Sequence, residues 1–192
     1  MGVPSIKGVV LRPLVARVNR LLDQGKLDHG EVERRLDDDD LALLDNEESI
    51  EATLWYPIVC QDRLLRLVRD CVGGGDDRVI VEFAQETAKE LLESPSYAAL
   101  VAGASKMGER AGVALVKISE LVFSFSQWMY CGESLADFRV EVSGAEELPE
   151  SSQLAAAGFM AHLAERVLGR PVAITSERPS PDRVVYRGRA RS

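Results

Sequence analysis

Two histidines, three cysteines and a dense run of carboxylates are the side chains of this 192-residue sequence whose types suit catalysis or metal binding. His29 stands in Asp28-His29-Gly30, a polar turn where a solvated imidazole is expected. His162 falls beside Leu163 and Glu165 in an apolar-periodic stretch, which predicts partial burial with a satisfied ring. No His-Glu-x-x-His spacing occurs, and no pair of histidines lies near a cysteine. Cys60 and Cys71 share one helical stretch. Eleven residues at the α-helical rise separate them by about 16 Å, and a disulfide needs Cα atoms within about 7 Å. The two can neither pair within one helix nor share a metal. Cys131 precedes Gly132, and there is no Cys-x-x-Cys. Each cysteine reads first as a small buried hydrophobe. A reactive or acylated thiol is the sharper alternative, best placed at Cys60 or Cys71.

Other chemistries lack their parts. Gly73-Gly74-Gly75 follows a helical stretch, and no Gly-Lys-Ser/Thr comes after it. A phosphate cradle needs its loop between a strand and a helix N-terminus, so nucleotide binding is not expected. No Gly-x-Ser-x-Gly elbow is present. The carboxylates of Glu31–Glu51 have no low-dielectric surroundings in view to push a catalytic pair apart. They also lack the ordered ligands and glycine of an EF-hand. What remains is aromatic and apolar. Large side chains from separate elements either fill the core or line a cavity between helices. The candidates for such a ligand cavity are Trp55, Tyr56, Cys60, Leu64, Cys71, Phe123, Phe125 and Trp128. No catalytic residue, metal ligand or cofactor is expected.

The bulk numbers narrow the class. A chain of this length is expected to form one domain, residues 1–192, that buries a core without staples. Apolar residues make up 46% and charged residues 28%, as in soluble globular proteins. The net charge of −8 argues against general nucleic-acid binding, which needs Lys and Arg to displace counterions. Met1–Val10 holds no apolar stretch long enough for a signal h-region, and Ile6 occupies the position where a myristoylation motif wants Ser or Thr. Ala111–Cys131 is long enough to test as a membrane span. Lys117 and Glu120 interrupt it, at about 2.5–3.5 kcal/mol each near a bilayer centre. A cytoplasmic location is expected, where unpaired cysteines stay reduced. Glu31, Glu33, Asp37–Asp40, Asp45, Glu47, Glu48 and Glu51 face only Arg34 and Arg35 across Glu31–Glu51. The C-terminal stretch is basic, with Arg178, Arg183, Arg187, Arg189 and Arg191. A solvated acidic loop and a frayed basic tail (residues 187–192) account for this asymmetry, and a docking surface is the alternative.

The elements that must position these residues follow from periodicity. Pro13 suits the first turn of a helix carrying Leu14, Val15, Val18, Leu21 and Leu22, closed by Gly25. Asp28, with Glu31 three residues on, caps a second helix to about Leu36. Asp37–Ser49 reads as acidic loop with a helical turn at Leu41–Leu44. Leu54-Trp55-Tyr56-Pro57 opens the next helix, whose stripes are Ile58, Leu65, Val68, Val72 and Cys60, Leu64, Leu67, Cys71. The glycine triplet ends it. Asp76 or Asp77 caps a fourth helix with Val79, Ile80, Phe83, Thr87 and Leu91 inward. Ser94-Pro95-Ser96 marks a turn. Leu115, Ile118, Val122, Phe125 and Met129 keep a 3-4-3-4 spacing that predicts one buried helix from about Ser105 to Tyr130. Gly108 and Gly112 would let a second backbone approach it. Phe138, Val140 and Val142 then alternate as a strand. A helix from Pro149–Ser152 to Gly169 follows, with Leu154, Phe159, Met160, Leu163, Val167 and Leu168 inward. Strands at Pro171–Thr175 and Arg183–Tyr186 are joined by Arg178–Asp182. The fold class is α+β. A helix-rich N-terminal two thirds packs with a small antiparallel sheet of three to four strands.

Three stretches in this order also carry a resemblance: Ile6-Lys7-Gly8-Val9-Val10, Leu54-Trp55-Tyr56-Pro57, and Gly158-Phe159-Met160 through Gly169-Arg170-Pro171-Val172. Together, over roughly Ile6 to Tyr186, they resemble the superfamily that contains the haem NO-binding domain, the TRAPP vesicle-tethering subunits and the 4-vinyl reductase domain. The nearest likeness is to an uncharacterised myxobacterial paralogous family. The resemblance implies an α+β ligand-binding-type domain, often paired with itself or a relative. Haem NO-binding domains use a proximal histidine and a Tyr-x-Ser-x-Arg motif, and no such motif occurs here. Many 4-vinyl reductase domains carry cysteines around the last two strands, but Val172–Tyr186 has none. Some tethering subunits hold an acyl chain on a cysteine; Cys71 is the nearest candidate.

The expected function is a non-enzymatic sensor or adaptor domain. Its cavity, between the Trp55–Val72 and Ser105–Tyr130 helices, would accept a small hydrophobic ligand or acyl group. It would act through contacts with a second copy or a paralogous subunit, with Glu31–Glu51 a candidate partner surface. The alternatives are a ligand-free structural subunit of a dimeric assembly, and an enzyme using Cys60 or Cys71.

Overall fold

Ile6 is fully buried at the centre of a three-residue strand, β1 (Ser5–Lys7). In the computed structural model, which describes residues 2–93 and 111–191, β1 pairs antiparallel with β2 (Trp55–Pro57), Ile6 opposite Tyr56. Leu54–Pro57 is thus not the first turn of a helix. Pro57 has no N–H to donate, sits at the end of the strand and hands over to α4 (Ile58–Cys71). Ile58, Cys60, Leu64, Leu65, Leu67 and Val68 of α4 are buried as the stripes predict, whereas Val72 lies beyond the helix and is exposed.

The first helix, α1 (Gly8–Asp23), begins earlier than expected, with Pro13 inside it. Five residues stand before Pro13, so its ring costs the backbone bond to the Val9 carbonyl. Gly8 and Val9 donate instead to Leu54 and Ala52 carbonyls, which fixes the entry of the helix. Gly25 closes it, donating to the Leu22 carbonyl. The Asp28 cap of α2 (His29–Arg35) is found as expected, its carboxylate accepting from the Glu31 N–H at 3.2 Å.

Asp37–Ser49 is not a solvated loop. It forms α3 (Asp38–Asp45) and a short 3-10 turn at Glu47–Ser49. Asp37 caps α3 by accepting from the Asp40 N–H, and Asp38, Asp39 and Asp40 occupy the first turn, where the helix dipole favours negative charge. Asp40 is fully buried, and both its oxygens accept from Arg63 of α4. Arg63 Nη2 also reaches Asp37 at 2.8 Å. A buried carboxylate is tolerable when its charge is paired and its lone pairs are satisfied.

Beyond the glycine turn lies α5 (Arg78–Glu93). Ile80, Phe83, Thr87 and Leu91 are buried as expected, joined by Ala84, Ala88 and Leu92. The Ser94–Ser96 turn and Gly108 lie outside the described residues. The long helix expected to run to Tyr130 ends at Val122 in α6 (Ala111–Val122). Phe123 bridges to Ile6, and Ser124 donates to the Ser5 carbonyl. From Gln127 the chain is β3 (Gln127–Ser134), in which Trp128 is buried and Met129 exposed. The 3-4-3-4 spacing continued through Phe125 and Met129 by coincidence. The alternation of Trp128 with Gln127 and Met129 is the strand signal it masked.

The remaining elements are β4 (Asp137–Ser143), α7 (Glu150–Leu168), β5 (Val172–Ser180) and β6 (Arg183–Ala190). Gly169 ends α7 with φ +69°, the left-handed cap that glycine accepts without steric cost. Strands β5 and β6 are longer than expected, so Arg178–Ser180 is strand and the turn shrinks to Pro181-Asp182. Arg187 and Arg189 belong to β6, not to a frayed tail. The antiparallel sheet has the order β3-β4-β6-β5. The α+β class, with an N-terminal helical part and a four-stranded sheet, is the observed one.

Two apolar cores result. One joins Leu11, Leu14, Val15, Leu64, Leu65, Ile80, Phe83 and their neighbours among α1 to α5. The other lies on the sheet, where Trp128, Phe138, Val140, Val142, Val184 and Tyr186 meet Ile118 and Val122 of α6 and Met160 and Leu163 of α7. Helix α7 touches both. Against α5 it approaches so closely that a Cβ at Gly158 would collide with the Val81 carbonyl.

Candidate functional site

Five helices leave a gap where the two cores meet. Leu14, Leu65, Phe83, Ala84 and Ala155 line it from the helical core, and Ile118, Val122, Phe123, Ala156 and Met160 from the sheet core. The cavity measures about 60 Å³ and is overwhelmingly apolar. Its polar lining is neutral: Gln61, Thr87, Ser119 and Ser152. Ser152 Oγ donates to Gln61 Oε1 at 2.8 Å, and Thr87 Oγ1 donates to the Phe83 carbonyl at 3.1 Å. No charged side chain is among its described lining residues. Small side chains on α7 make the room. Ala155 and Ala156 stand where a leucine would close the gap.

One aromatic column leads from the cavity into the sheet. Phe123 stacks on Trp128 with centroids 5.3 Å apart, and Trp128 stacks on Tyr186 at 5.8 Å. The indole N–H is satisfied by Ser126 Oγ at 2.9 Å. Phe125 meets Phe123 edge-on at 6.1 Å. Tyr186 is fully buried, its hydroxyl donates to the Gln153 carbonyl of α7, and burial drives its pKa far above the tyrosine range.

Of the eight side chains singled out from sequence, Phe123 lines this cavity. Trp128 and Phe125 contact Phe123 from behind. Trp55 is exposed on β2 beneath the Lys7 ammonium, 3.9 Å from its ring centroid. The Tyr56 hydroxyl accepts from the Glu51 N–H. Leu64 packs within the helical core. Cys60 is buried beside Arg63, and burial, then Asp40, push its thiol up to about 12, so the thiolate is scarce at neutral pH. Cys71 is half-buried, 3.9 Å from Glu31, and burial raises its pKa as well. The expected cavity between the Trp55–Val72 and Ser105–Tyr130 stretches is therefore displaced. It is framed by α5 and α7 together with α1, α4 and α6. Gly112, expected to admit a second backbone, receives the Tyr130 ring of β3 instead. The Tyr130 hydroxyl is buried with no partner among the described residues, and burial lifts its pKa to about 12.

Neither histidine lines the cavity. His29 borders a separate, open concavity of about 310 Å³ that Asp23, Glu33, Asp45, Leu22, Leu41 and others form on α1 to α3. His162 is half-buried near Lys89 and Glu93 of α5 and Glu165 and Arg166 of its own helix, and desolvation lowers its pKa. Among the described residues no group of three or more His, Cys, Asp or Glu side chains is placed to hold a metal. No helix among them is long and apolar enough to cross a membrane.

Neither a family model nor a curated protein matches the sequence. Solved structures do superpose. The unliganded Fe(II) H-NOX protein from K. algicida is 12% identical, matches over 97% of both chains and has a TM-score of 0.64. A T. tengcongensis H-NOX mutant is 10% identical over 97% of this chain and 98% of its own, with a TM-score of 0.61. At such identity the likeness shows the fold, and the fold is that of H-NOX proteins. This corrects the resemblance drawn from sequence. With H-NOX structures matching almost end to end and no family model matching, the kinship to 4-vinyl reductase and TRAPP-like domains, closest to a myxobacterial family, is overturned.

The residues present do not fit a haem. An apolar cavity of about 150 Å³ holds a single benzene, and 60 Å³ is well short of that, while a porphyrin is several times larger. Haem iron takes an axial His, Cys, Tyr or Met. Met160 is the one such side chain among the described lining residues, which include no histidine. On β3, Tyr130 is followed two and four positions later by Gly132 and Ser134, not by the serine and arginine of Tyr-x-Ser-x-Arg.

Sequence reasoning missed Gln61, Ser152 and the α7 alanines. A signal existed for Gln61. It stands three and four residues before Leu64 and Leu65, a lone amide on the buried face of α4.

Proposed function

We propose that this chain is a non-enzymatic sensor or adaptor domain. Its input is a small hydrophobic ligand between the cores, and its output passes through protein–protein contacts with a second copy or a paralogous subunit. The observation that carries this reading is the position of the cavity. It is shared by two cores that otherwise pack separately, so occupancy changes how α7 and α6 seat the helical part on the sheet. A ligand shifts such an equilibrium only by its differential affinity for the two arrangements. A cavity at the seam supplies that difference. The H-NOX structures are haem proteins of the same fold. Here the cavity is about 60 Å³ and no histidine stands among its described lining residues, which supports ligand sensing without haem. Native mass spectrometry of the purified protein tests the reading. The expected result is a bound small apolar species that is absent from an Ala156→Phe variant. A chain that retains nothing and accepts no small apolar molecule in solution contradicts it.

A ligand-free structural subunit is the second reading. Leu54, Trp55 and Val59, all exposed and within six residues, favour it as a face to be covered. Sedimentation equilibrium at micromolar concentration separates the two readings. A dimer weakened by Trp55→Ala supports the second, and a persistent monomer removes it.

A further inference from the structure

Two surfaces of opposite charge are left open by the chain's own ion pairs. One is a basic corner where α7 passes into β5. Arg166 stands in the last turn of α7, Arg170 in the turn that follows, and Arg191 just after β6, its N–H donating to the Pro171 carbonyl at 2.9 Å. All three are exposed and make no ion pair among the described residues. Arg189, opposite Ala173 of β5, adds a fourth cation, whose contact with Asp137 is long at 3.6 Å and exposed. The helix dipole accounts for Arg166 at a C-terminus, but not for Arg170 or Arg191. Glu165, adjacent to Arg166, accepts from the Val172 N–H instead. The backbone at Arg170 is held from both sides, by Gly169 at φ +69° and by Pro171, which confines the residue before it to extended conformations. An arginine presented on such a turn has less freedom to lose on docking.

The other surface is the concavity of about 310 Å³ on α1 to α3. Asp23, Glu33 and Asp45 line it, all exposed and without an ion pair among the described residues, whereas Glu31 and Asp40 nearby are held by Arg35 and Arg63. Leu22, Val32 and Leu41 give it apolar walls. Such a lining suits an arginine, whose aliphatic stem packs on leucines while its fork meets carboxylates. An apolar cavity of about 150 Å³ holds the six carbons of benzene, so this one has room for the seven heavy atoms of one arginine side chain. A polyanion such as a nucleic acid would meet these few cations on a chain of net charge −8. The complementary carboxylates are on the chain itself.

We infer that the protein associates head to tail with a second copy, the corner formed by Arg166, Arg170 and Arg191 of one copy seating on the acidic concavity of the next, with Arg170 entering it. The two surfaces share no residue, so the contact is heterologous and extends into a ring or an open chain. It rests on the protein–protein output proposed above and names the surfaces that carry it. Both belong to helices that line the cavity, α7 through Ala155, Ala156 and Met160 and α1 through Leu14.

Sedimentation velocity of the intact chain, in a concentration series up to about 1 mM, tests it. The expected result is an average mass that rises with concentration at about 0.01 M salt and falls back toward the monomer at about 1 M, where exposed charges are screened. Arg170→Gln with Arg191→Gln, or Asp23→Asn with Asp45→Asn, is expected to weaken the association by at least about tenfold. All four positions are exposed, so both variants keep the native fold. An equimolar mixture of the two variants retains one working contact and is expected to give a discrete dimer and nothing longer. A chain that stays monomeric throughout overturns the inference. So does an association that both neutralised variants retain, or a mixture that forms no dimer. A closed dimer lost in Trp55→Ala but kept in both neutralised variants overturns the inference and leaves the wider reading of contacts with a second copy standing. Failure of the ligand-sensing reading is seen separately, in native mass spectra of the neutralised, monomeric variants.

Discussion

Phe123 and Trp128 lie ring on ring, 5.3 Å apart at 12°, so the wall of the cavity and the first residues of β3 are one packed unit. Trp128 is one of only two tryptophans, and the other, Trp55, is exposed. A Trp55→Phe variant therefore isolates a reporter one ring from the cavity. Its emission is expected to be blue-shifted in the resting protein and to change on ligand entry. Phe123→Ala is expected to cost about 3–5 kcal/mol of stability, as for other buried phenylalanines, and to red-shift that emission. Equilibrium urea unfolding followed at the indole measures both.

Arg63 holds the acidic segment in place. Arg63→Met leaves Asp40 buried with no counter-charge, and a loss of about 3–5 kcal/mol is expected. The double variant Asp40→Leu with Arg63→Met removes both charges and is expected to recover most of that loss. Chemical denaturation of the three proteins checks the pair. If the single and double variants are equally destabilised, the ion pair is not what seats α3 on α4.

Gly158→Ala puts a methyl against the Val81 carbonyl, a backbone atom that cannot swing aside. Overpacking of this kind typically costs about 1–3 kcal/mol. Thermal melts are expected to show that loss in Gly158→Ala. By contrast, Gly2→Ala, where an added Cβ meets nothing, is expected to melt with the native chain.

His162 predicts a pH dependence. Burial, partly opposed by Glu165 and Glu93 and reinforced by Arg166 and Lys89, lowers its folded pKa below 6.5. Between the folded and unfolded values the unfolded chain binds more protons. Stability contributed by the neutral ring is therefore complete above about pH 6.5 and declines as the pH falls toward the folded value. His162→Gln is expected to flatten this part of a melting-temperature profile. An unchanged slope would assign it to other groups.

The legible parts of the fold were those where one local rule had no competitor. Phe138, Val140 and Val142 alternated cleanly, and Asp28 with Glu31 announced its cap. The long helix was over-read because Phe125 and Met129 happen to fall on the heptad extended from Ile118. Only tertiary pairing of Ser124 with Ser5, and of β3 with β4, shows where the period changes. Asp37–Ser49 was under-read because the partner that makes a buried aspartate tolerable, Arg63, is twenty-three residues away from Asp40. The cavity was the least legible feature. Periodicity finds large side chains that point inward, and so it favoured Trp55 and Trp128. A void is made by small ones, and Ala155 and Ala156 carry no signal until α1, α4, α5 and α6 are assembled around them.

The central claim is that one small cavity joins the two cores. Two-dimensional amide and methyl NMR of the intact chain under xenon pressure tests it most directly, because xenon reports space and needs no particular chemistry. The account predicts saturable shifts at Leu14, Leu65, Ala84, Ile118 and Met160, on both sides of the seam, with the Trp128 indole following. Shifts confined to one core, or none at these residues, would contradict it.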